Sequence, residues 1–287
     1  MIVGVSLVLP AYNEEGAVGS VVAEFRKELA TVGLPFEILV VDDGSSDRTA
    51  QVAAEAGAVI ISSPQNLGYG LALRRGIIAA KYPYVLICDA DGTYPPSAVA
   101  DLTRLAGNFD MVVAARTGRQ FRGRGVRALA RTGLRVFSSF VVGRRIPDVN
   151  SGFRIFRKNA CLSYFGILSP GFSFTTGLTL AMISDAQAVA FIPVKYGVRV
   201  GSSKVRFVRD TLRITQVLIQ AIVRHNPVKL FAVLTVGVWM LSLVALIMWI
   251  VLGNVMIGLL AAVAFLIGIQ VFCVGLLAEA VRARREA

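Results

Sequence analysis

The chain has 287 residues and a formal net charge of +12, with 55% of residues hydrophobic and 17% charged, and its mean hydropathy is +0.66. That is too apolar for an ordinary soluble domain, so a membrane component is expected, and no zinc-finger or RNP-type signature directs the positive charge to nucleic acid. Cys88, Cys161 and Cys273 lie far apart with no CxxC pair, which indicates neither a disulfide framework nor a thiolate zinc site; the single histidine, His225, rules out a multi-histidine metal centre and a Ser-His or Cys-His nucleophile.

Met1 to Leu9 is apolar, has no basic leader and stops at Pro10, so it reads as a buried strand and not as a secretory signal. Short β-rich apolar runs follow at Val3 to Leu9, Phe36 to Val41, Ala58 to Ser62, Tyr84 to Cys88 and Met111 to Ala115, with helical stretches between them at Gly16 to Val32, Asp47 to Ala56, Tyr69 to Lys81 and Pro96 to Ala106. The repeated βα pattern predicts a doubly wound, mostly parallel sheet, whose ligands bind at the carboxyl ends of the strands. The polar residues there are Pro10-Ala11-Tyr12-Asn13-Glu14-Glu15 after the first strand, Asp42-Asp43-Gly44-Ser45-Ser46-Asp47 after the second and Asp89-Ala90-Asp91 after the fourth. Asp47 reads as a helix cap. Asp89 and Asp91 bracket one residue at a strand end, so both carboxylates can reach one edge and hold a hard divalent cation, Mg2+ or Mn2+, through oxygen ligands. Gly68-Tyr69-Gly70 lacks the third glycine of GxGxxG, with Leu73 in its place, and is not read as a dinucleotide fingerprint.

Between Met111 and Pro147 there is no acidic residue, while Arg116, Arg119, Arg122, Arg124, Arg127, Arg131, Arg135, Arg144 and Arg145 crowd in; Lys204, Arg206, Arg209, Arg213 and Arg224 add to them. Positive charge gathered on the approach to an apolar segment suits anionic lipid or a phosphorylated substrate. Arg206 to Asn226 mixes apolar and charged residues as an interfacial helix does, or as an amphipathic helix packed on a soluble domain does. Val228 to Leu252 and Val255 to Val281 each exceed the ~20 residues that cross a bilayer, and Gly253-Asn254 turns between them. The outer ends carry Arg224 and Lys229, then Arg282, Arg284 and Arg285, while the turn carries no charge, so both ends are expected on the cytoplasmic side.

Pro10-Ala11-Tyr12-Asn13-Glu14, Val41-Asp42-Asp43-Gly44-Ser45, Asn66-Leu67-Gly68 and Asp89-Ala90-Asp91-Gly92-Thr93-Tyr94-Pro95-Pro96 resemble inverting family 2 glycosyltransferases of the GT-A fold. Asn150-Ser151-Gly152-Phe153-Arg154, Arg199 to Lys204, and Asn226-Pro227-Val228-Lys229-Leu230 are similar to the dolichyl-phosphate mannose synthase and bacterial polyprenyl-phosphate glycosyltransferase branch, so the resemblance spans nearly the whole chain. It implies a cytoplasmic GT-A catalytic domain over residues 1–205, a juxtamembrane helix over 206–227 and a transmembrane hairpin over 228–287 of the inner membrane.

By the same resemblance, Pro10, Tyr12, Glu14 and Asp42 or Asp43 would hold the nucleoside, with Asn66, Gly68 and Ser151 also in the donor site. Asp89 and Asp91 would hold the metal, and Arg116, Arg127, Arg131, Arg199 and Lys204 the anionic groups of donor and acceptor. Thr93 stands where many relatives have glutamine, beside the metal. The implied partners are a nucleotide-sugar donor, a polyprenyl phosphate acceptor and anionic membrane lipid, with no nucleic acid; a homo-oligomer is left open. A processive polysaccharide synthase would share the donor half, but the QxxRW segment it commonly carries is absent; a non-catalytic nucleotide-sugar-binding adaptor is disfavoured by the intact aspartates.

Overall fold

The computed structural model describes residues 2–118, 126–171, 173–198 and 207–286. Two compact units emerge, Met1–Val217 and Leu218–Ala287, so the division falls inside the helix that the sequence places before the first apolar span.

In the first unit, strands β1 (Val5–Ala11), β2 (Phe36–Asp42), β3 (Val59–Ser62), β4 (Tyr84–Ile87), β5 (Met111–Thr117), β6 (Arg154–Arg157) and β7 (Val189–Lys195) form one sheet in the order β3-β2-β1-β4-β6-β5-β7. β6 runs antiparallel to both its neighbours and the remaining pairs are parallel. The first five strands match the apolar runs of the sequence to within two residues at either end. Helices α1 (Val18–Val32), α2 (Thr49–Glu55), α3 (Tyr69–Ala79) and α4 (Val99–Ala106) are the crossovers, and α5 (Val126–Val142), α6 (Lys158–Ser163) and α7 (Phe174–Ser184) follow β5 and β6.

The side-chain alternation of a strand decides which face each residue serves. Val5, Leu7 and Leu9 of β1 join Val18, Val22 and Phe25 of α1 and Val99 and Leu102 of α4 in one fully buried cluster. Val8 points to the opposite face, where Gly76 lets α3 lie directly on it; a Cβ at that glycine would overlap Val8 and stand 2.9 Å from Val41 Cγ2.

Pro10 corrects one expectation, because β1 does not stop there but runs through it to Ala11. A proline in a central strand normally forfeits a ladder bond. Here the pairing of β1 with β4 covers only Val5 to Val8, and the Cys88 N–H donates to Val8 O at 3.2 Å just past its end. Pro10 faces the same side two residues further on, where the β4 ladder has ended, so its missing N–H costs nothing.

The second unit contains the C-terminal part of α8 (Phe207–His225), from Leu218 onward, together with α9 (Pro227–Leu252) and α10 (Val255–Glu286). The first position of a helix has no use for an N–H, which is why proline is tolerated there. Pro227 takes that place in α9, while the Asn226 side chain accepts the Lys229 N–H at 3.0 Å. Gly253, in the left-handed region at φ 65, closes α9. Aromatic rings of α9 seat on glycines of α10: Trp249 on Gly258, Trp239 on Gly268 and Phe231 on Gly275. Both helices are long and apolar enough to cross a membrane, and only 11% of each apolar window is buried within the protein, unlike the core helix of a soluble domain.

Gly76→Val is expected to destabilise the protein by about 2 kcal/mol through overpacking between α3 and β1, read as a lower thermal midpoint of the full chain in detergent; an unchanged midpoint would contradict the packing described.

Candidate active site

The loops after β1, β2 and β3 are tied into one rim by their own polar groups. Asn13 sits at φ 51, a conformation that asparagine tolerates better than most residues. Its Oδ1 accepts the Ser46 N–H at 2.8 Å while its own N–H donates to Ser45 Oγ at 2.9 Å. The Glu14 N–H donates to Thr49 Oγ1 at 2.8 Å. Asp47, read from the sequence as a helix cap, stands one residue before the N-cap position of α2, which is Arg48, and accepts the Thr49 N–H at 3.0 Å. Asp43 Oδ1 and Oδ2 accept the N–H groups of Leu67 and Gly68 at 2.9 and 2.7 Å, and Gly44, at φ 73, packs so tightly that a Cβ would lie 2.5 Å from the Gln65 carbonyl carbon.

Of the residues expected around the nucleoside, Pro10 is buried inside β1, Asp42, Asp43 and Glu14 are buried, Tyr12 and Gly68 are half-buried and Asn66 is exposed. Asp42 Oδ1 accepts the Ser45 N–H at 3.1 Å. Each carboxylate oxygen of Asp43 has about two acceptor directions, so binding the loop leaves it chemically able to meet a base. Gly70 proves to be a packing glycine, since a Cβ there would stand 2.6 Å from the carbonyl carbon of Pro170.

Asp89 and Asp91 emerge just past β4. Asp91 is 3% exposed, and its Oδ1 accepts both the Thr93 N–H, at 3.1 Å, and the Thr93 hydroxyl, at 2.6 Å. Thr93, expected beside the metal, therefore has its hydroxyl on Asp91. Asp89 Oδ1 accepts the Tyr69 hydroxyl at 2.9 Å. The antiparallel register pairs Ile87 with Arg154, which brings Gly152 opposite Asp89; a Cβ on Gly152 would stand 2.6 Å from both carboxylate oxygens. Glycine is the residue that allows this approach.

Tyr94 closes the floor. Its hydroxyl accepts the Gly152 N–H at 2.8 Å and lies 3.3 Å from the Ser151 hydroxyl, its ring meets Phe153 and Tyr196, and burial pushes its pKa upward. The Gly197 N–H donates to Thr93 O at 2.8 Å, fastening the exit of β7 to the aspartate loop. Ser151 is fully buried, with its hydroxyl donating to Ala114 O at 2.6 Å.

Arg116 makes a two-pronged pair with Asp148, Nε to Oδ2 at 2.7 Å and Nη2 to Oδ1 at 3.0 Å, and its guanidinium lies 5.5 Å from the Tyr196 ring centre. Burial alone would raise the Asp148 carboxyl, but the Arg116 guanidinium outweighs it and holds the group below its ordinary value. Arg154, 0% exposed, donates to the carbonyls of Ser151 and Thr175 at 3.0 and 2.9 Å and to Thr179 Oγ1 at 2.7 Å; burial lowers its pKa to about 10, which leaves it charged near neutrality. Arg127 and Arg131 lie on α5, with Arg131 exposed, while Arg199 and Lys204 lie outside the described residues.

Sequence reasoning passed over Tyr69, Tyr94, Asp148, Gly152 and Tyr196. Asp148 had a visible signal, being the first acid after the stretch of arginines without one. Tyr94 and Gly152 stand inside motifs already singled out.

Among the described residues no group of three or more His, Cys, Asp or Glu side chains could hold a metal ion. Two aspartates supply hard oxygen ligands for Mg2+ or Mn2+, which keep waters and take substrate phosphates for the rest, so the donor set fits an ion delivered with a diphosphate. The glycosyl transferase family 2 model matches residues 6–165. The chain belongs to that family. This glycosyltransferase is 27% identical to Glycosyltransferase AglJ of Haloferax volcanii, over 96% of this chain and 92% of that protein. It is 31% identical to a dolichyl-phosphate hexose transferase of the same organism, over 69% of this chain and 85% of the relative. Glucosyl-3-phosphoglycerate synthase from Mycobacterium tuberculosis, crystallised in complex with Mn2+, uridine diphosphate and phosphoglyceric acid, shares the fold with a TM-score of 0.62 at 23% identity, over 76% of this chain and 78% of that one.

Asp148→Asn is expected to cost about 3–5 kcal/mol at neutral pH, because it leaves the Arg116 charge buried without its partner. The Asp148 carboxyl titrates below its unfolded value, so its contribution is complete above about pH 4 and fades as the pH falls further. Melting curves across pH should therefore show the two proteins converging in acid; a constant gap would contradict the pairing.

Proposed function

We propose that this glycosyltransferase moves a hexose-type sugar from a UDP- or GDP-linked donor to a polyprenyl phosphate, with inversion, at the cytoplasmic face of a membrane. The observation that carries the reading is the Asp89 and Asp91 pair at the carboxyl end of β4, in a chain that also has two helices of membrane-spanning length. The relative named dolichyl-phosphate hexose transferase supports the acceptor class.

In this reading Tyr12, Glu14, Asp42 and Asp43 border the nucleoside, and Asp89 and Asp91 hold Mg2+ or Mn2+. A cation held there would supply positive charge to offset what builds on the leaving nucleoside diphosphate. The rest falls to the chain's own groups. A lipid phosphate is already an anionic nucleophile near neutrality, so no strong general base is required. The obstacle is repulsion between two phosphorylated reactants, which arginine and lysine groups reduce while aligning the acceptor oxygen behind the anomeric carbon. Arg116 is preorganised for that work, since Asp148 and the Tyr196 ring fix its plane. Arg127, Arg131, Arg199 and Lys204 complete the proposed anion-binding set. The nearly apolar α9 and α10 anchor the enzyme where its acceptor resides, and the domains divide as 1–205, 206–227 and 228–287.

The test is a membrane assay offering a panel of nucleotide sugars with undecaprenyl phosphate, scored by the mass of the lipid product. One donor should yield a lipid-linked monosaccharide, β-linked from an α-linked donor by proton coupling, and Asp91→Ala should abolish transfer while the protein stays folded and membrane-bound. Full activity of that variant would contradict the metal role, and a retained α linkage would contradict in-line attack.

A further inference from the structure

Asp89 is gripped from two sides. On one, the Tyr69 hydroxyl reaches Oδ1 at 2.9 Å from the first residue of α3. On the other, the Gly152 backbone abuts both oxygens, itself held by its N–H bond to Tyr94 Oη at 2.8 Å. The root of the Tyr69 side chain is fixed as firmly as its tip. The two preceding N–H groups, of Leu67 and Gly68, are bound by Asp43 at 2.9 and 2.7 Å. The following residue, Gly70, is pressed against Pro170 and Gly171 with no room for a Cβ.

A chain of contacts therefore runs from Asp43, on the rim assigned to the nucleoside, through the Leu67-Gly68 backbone and Tyr69 to Asp89. A tyrosine hydroxyl is protonated near neutrality, so it serves as the hydrogen-bond donor to Asp89. A carboxylate on a flexible side chain must be held in one rotamer if it is to meet an ion with fixed geometry, and outer hydrogen bonds commonly supply that restraint.

We propose that Tyr69 is a positioning residue: its hydroxyl sets the orientation in which Asp89 meets the donor's cation, and it ties that orientation to the loop beside the nucleoside. The inference rests on the reading of Asp89 and Asp91 as the cation site.

The test uses the full chain in detergent, titrated with Mn2+ in the presence of UDP and, in parallel, GDP, with bound ion read by electron paramagnetic resonance. Tyr69→Phe, which removes one oxygen, should weaken Mn2+ binding about 10- to 100-fold. The protein should stay folded, with its KM for polyprenyl phosphate unchanged. Gly152→Ala pushes the same carboxylate from the opposite side and should weaken Mn2+ in the same sense, which keeps the test decisive if the first variant folds poorly. Unaltered Mn2+ affinity in either folded variant would overturn the role given to Tyr69 while leaving the cation site intact. Failure of the unaltered chain to bind Mn2+ with either nucleotide would instead remove the cation site, and the inference with it.

Discussion

Two carboxylates one residue apart at the end of a buried strand repel each other and lose hydration, so the arrangement persists only if each is compensated by hydrogen bonds or by a cation. Asp91 receives the backbone N–H and hydroxyl of Thr93, and Asp89 receives the hydroxyl of Tyr69. Much of the first unit can be understood as what brings those donors to that edge. β4 lies between β1 and β6, so the loop after β3 that carries Tyr69 approaches from one side and the Ser151-Gly152 turn from the other.

The second demand is placed on the cations. Arg154 is buried with carbonyls of Ser151 and Thr175 and the hydroxyl of Thr179 as hydrogen-bond acceptors, and no carboxylate is among its acceptors in the described residues. Its charge is thereby spread over the turn that carries Gly152, and the turn cannot swing away from Asp89 without stranding a buried guanidinium. Arg116 is treated differently, with a full carboxylate partner in Asp148 and an aromatic face beneath it. One arginine holds the protein's own backbone in place; the other is presented, already ordered, on the side of the aspartates where β5 ends.

The parallel half of the sheet was legible because its strands are continuous apolar runs closed by polar loops, as buried parallel strands are. β6 and β7 were not. β6 spans only Arg154–Arg157 and both its ends are arginine, one of them buried against all compositional expectation; β7 carries Pro193 and is only partly buried, as suits an edge strand. The aspartate pair could be read from spacing alone, whereas its supports could not. Tyr69 stands 20 residues from Asp89 and Asp148 stands 32 from Arg116, separations that only the strand order closes. The two apolar helices were the plainest signal in the chain, with α9 ending where Pro227 and Gly253 bound it and α10 running past the expected Val281 to Glu286.

We propose that Asp89 and Asp91 hold the donor's divalent ion at the carboxyl end of β4. This is tested most directly by a crystal structure with Mn2+ and the cognate nucleoside diphosphate, using anomalous scattering at the manganese edge. One strong peak is expected about 2.1 Å from a carboxylate oxygen of the pair. A nucleotide bound with its diphosphate and ion away from both aspartates would contradict it.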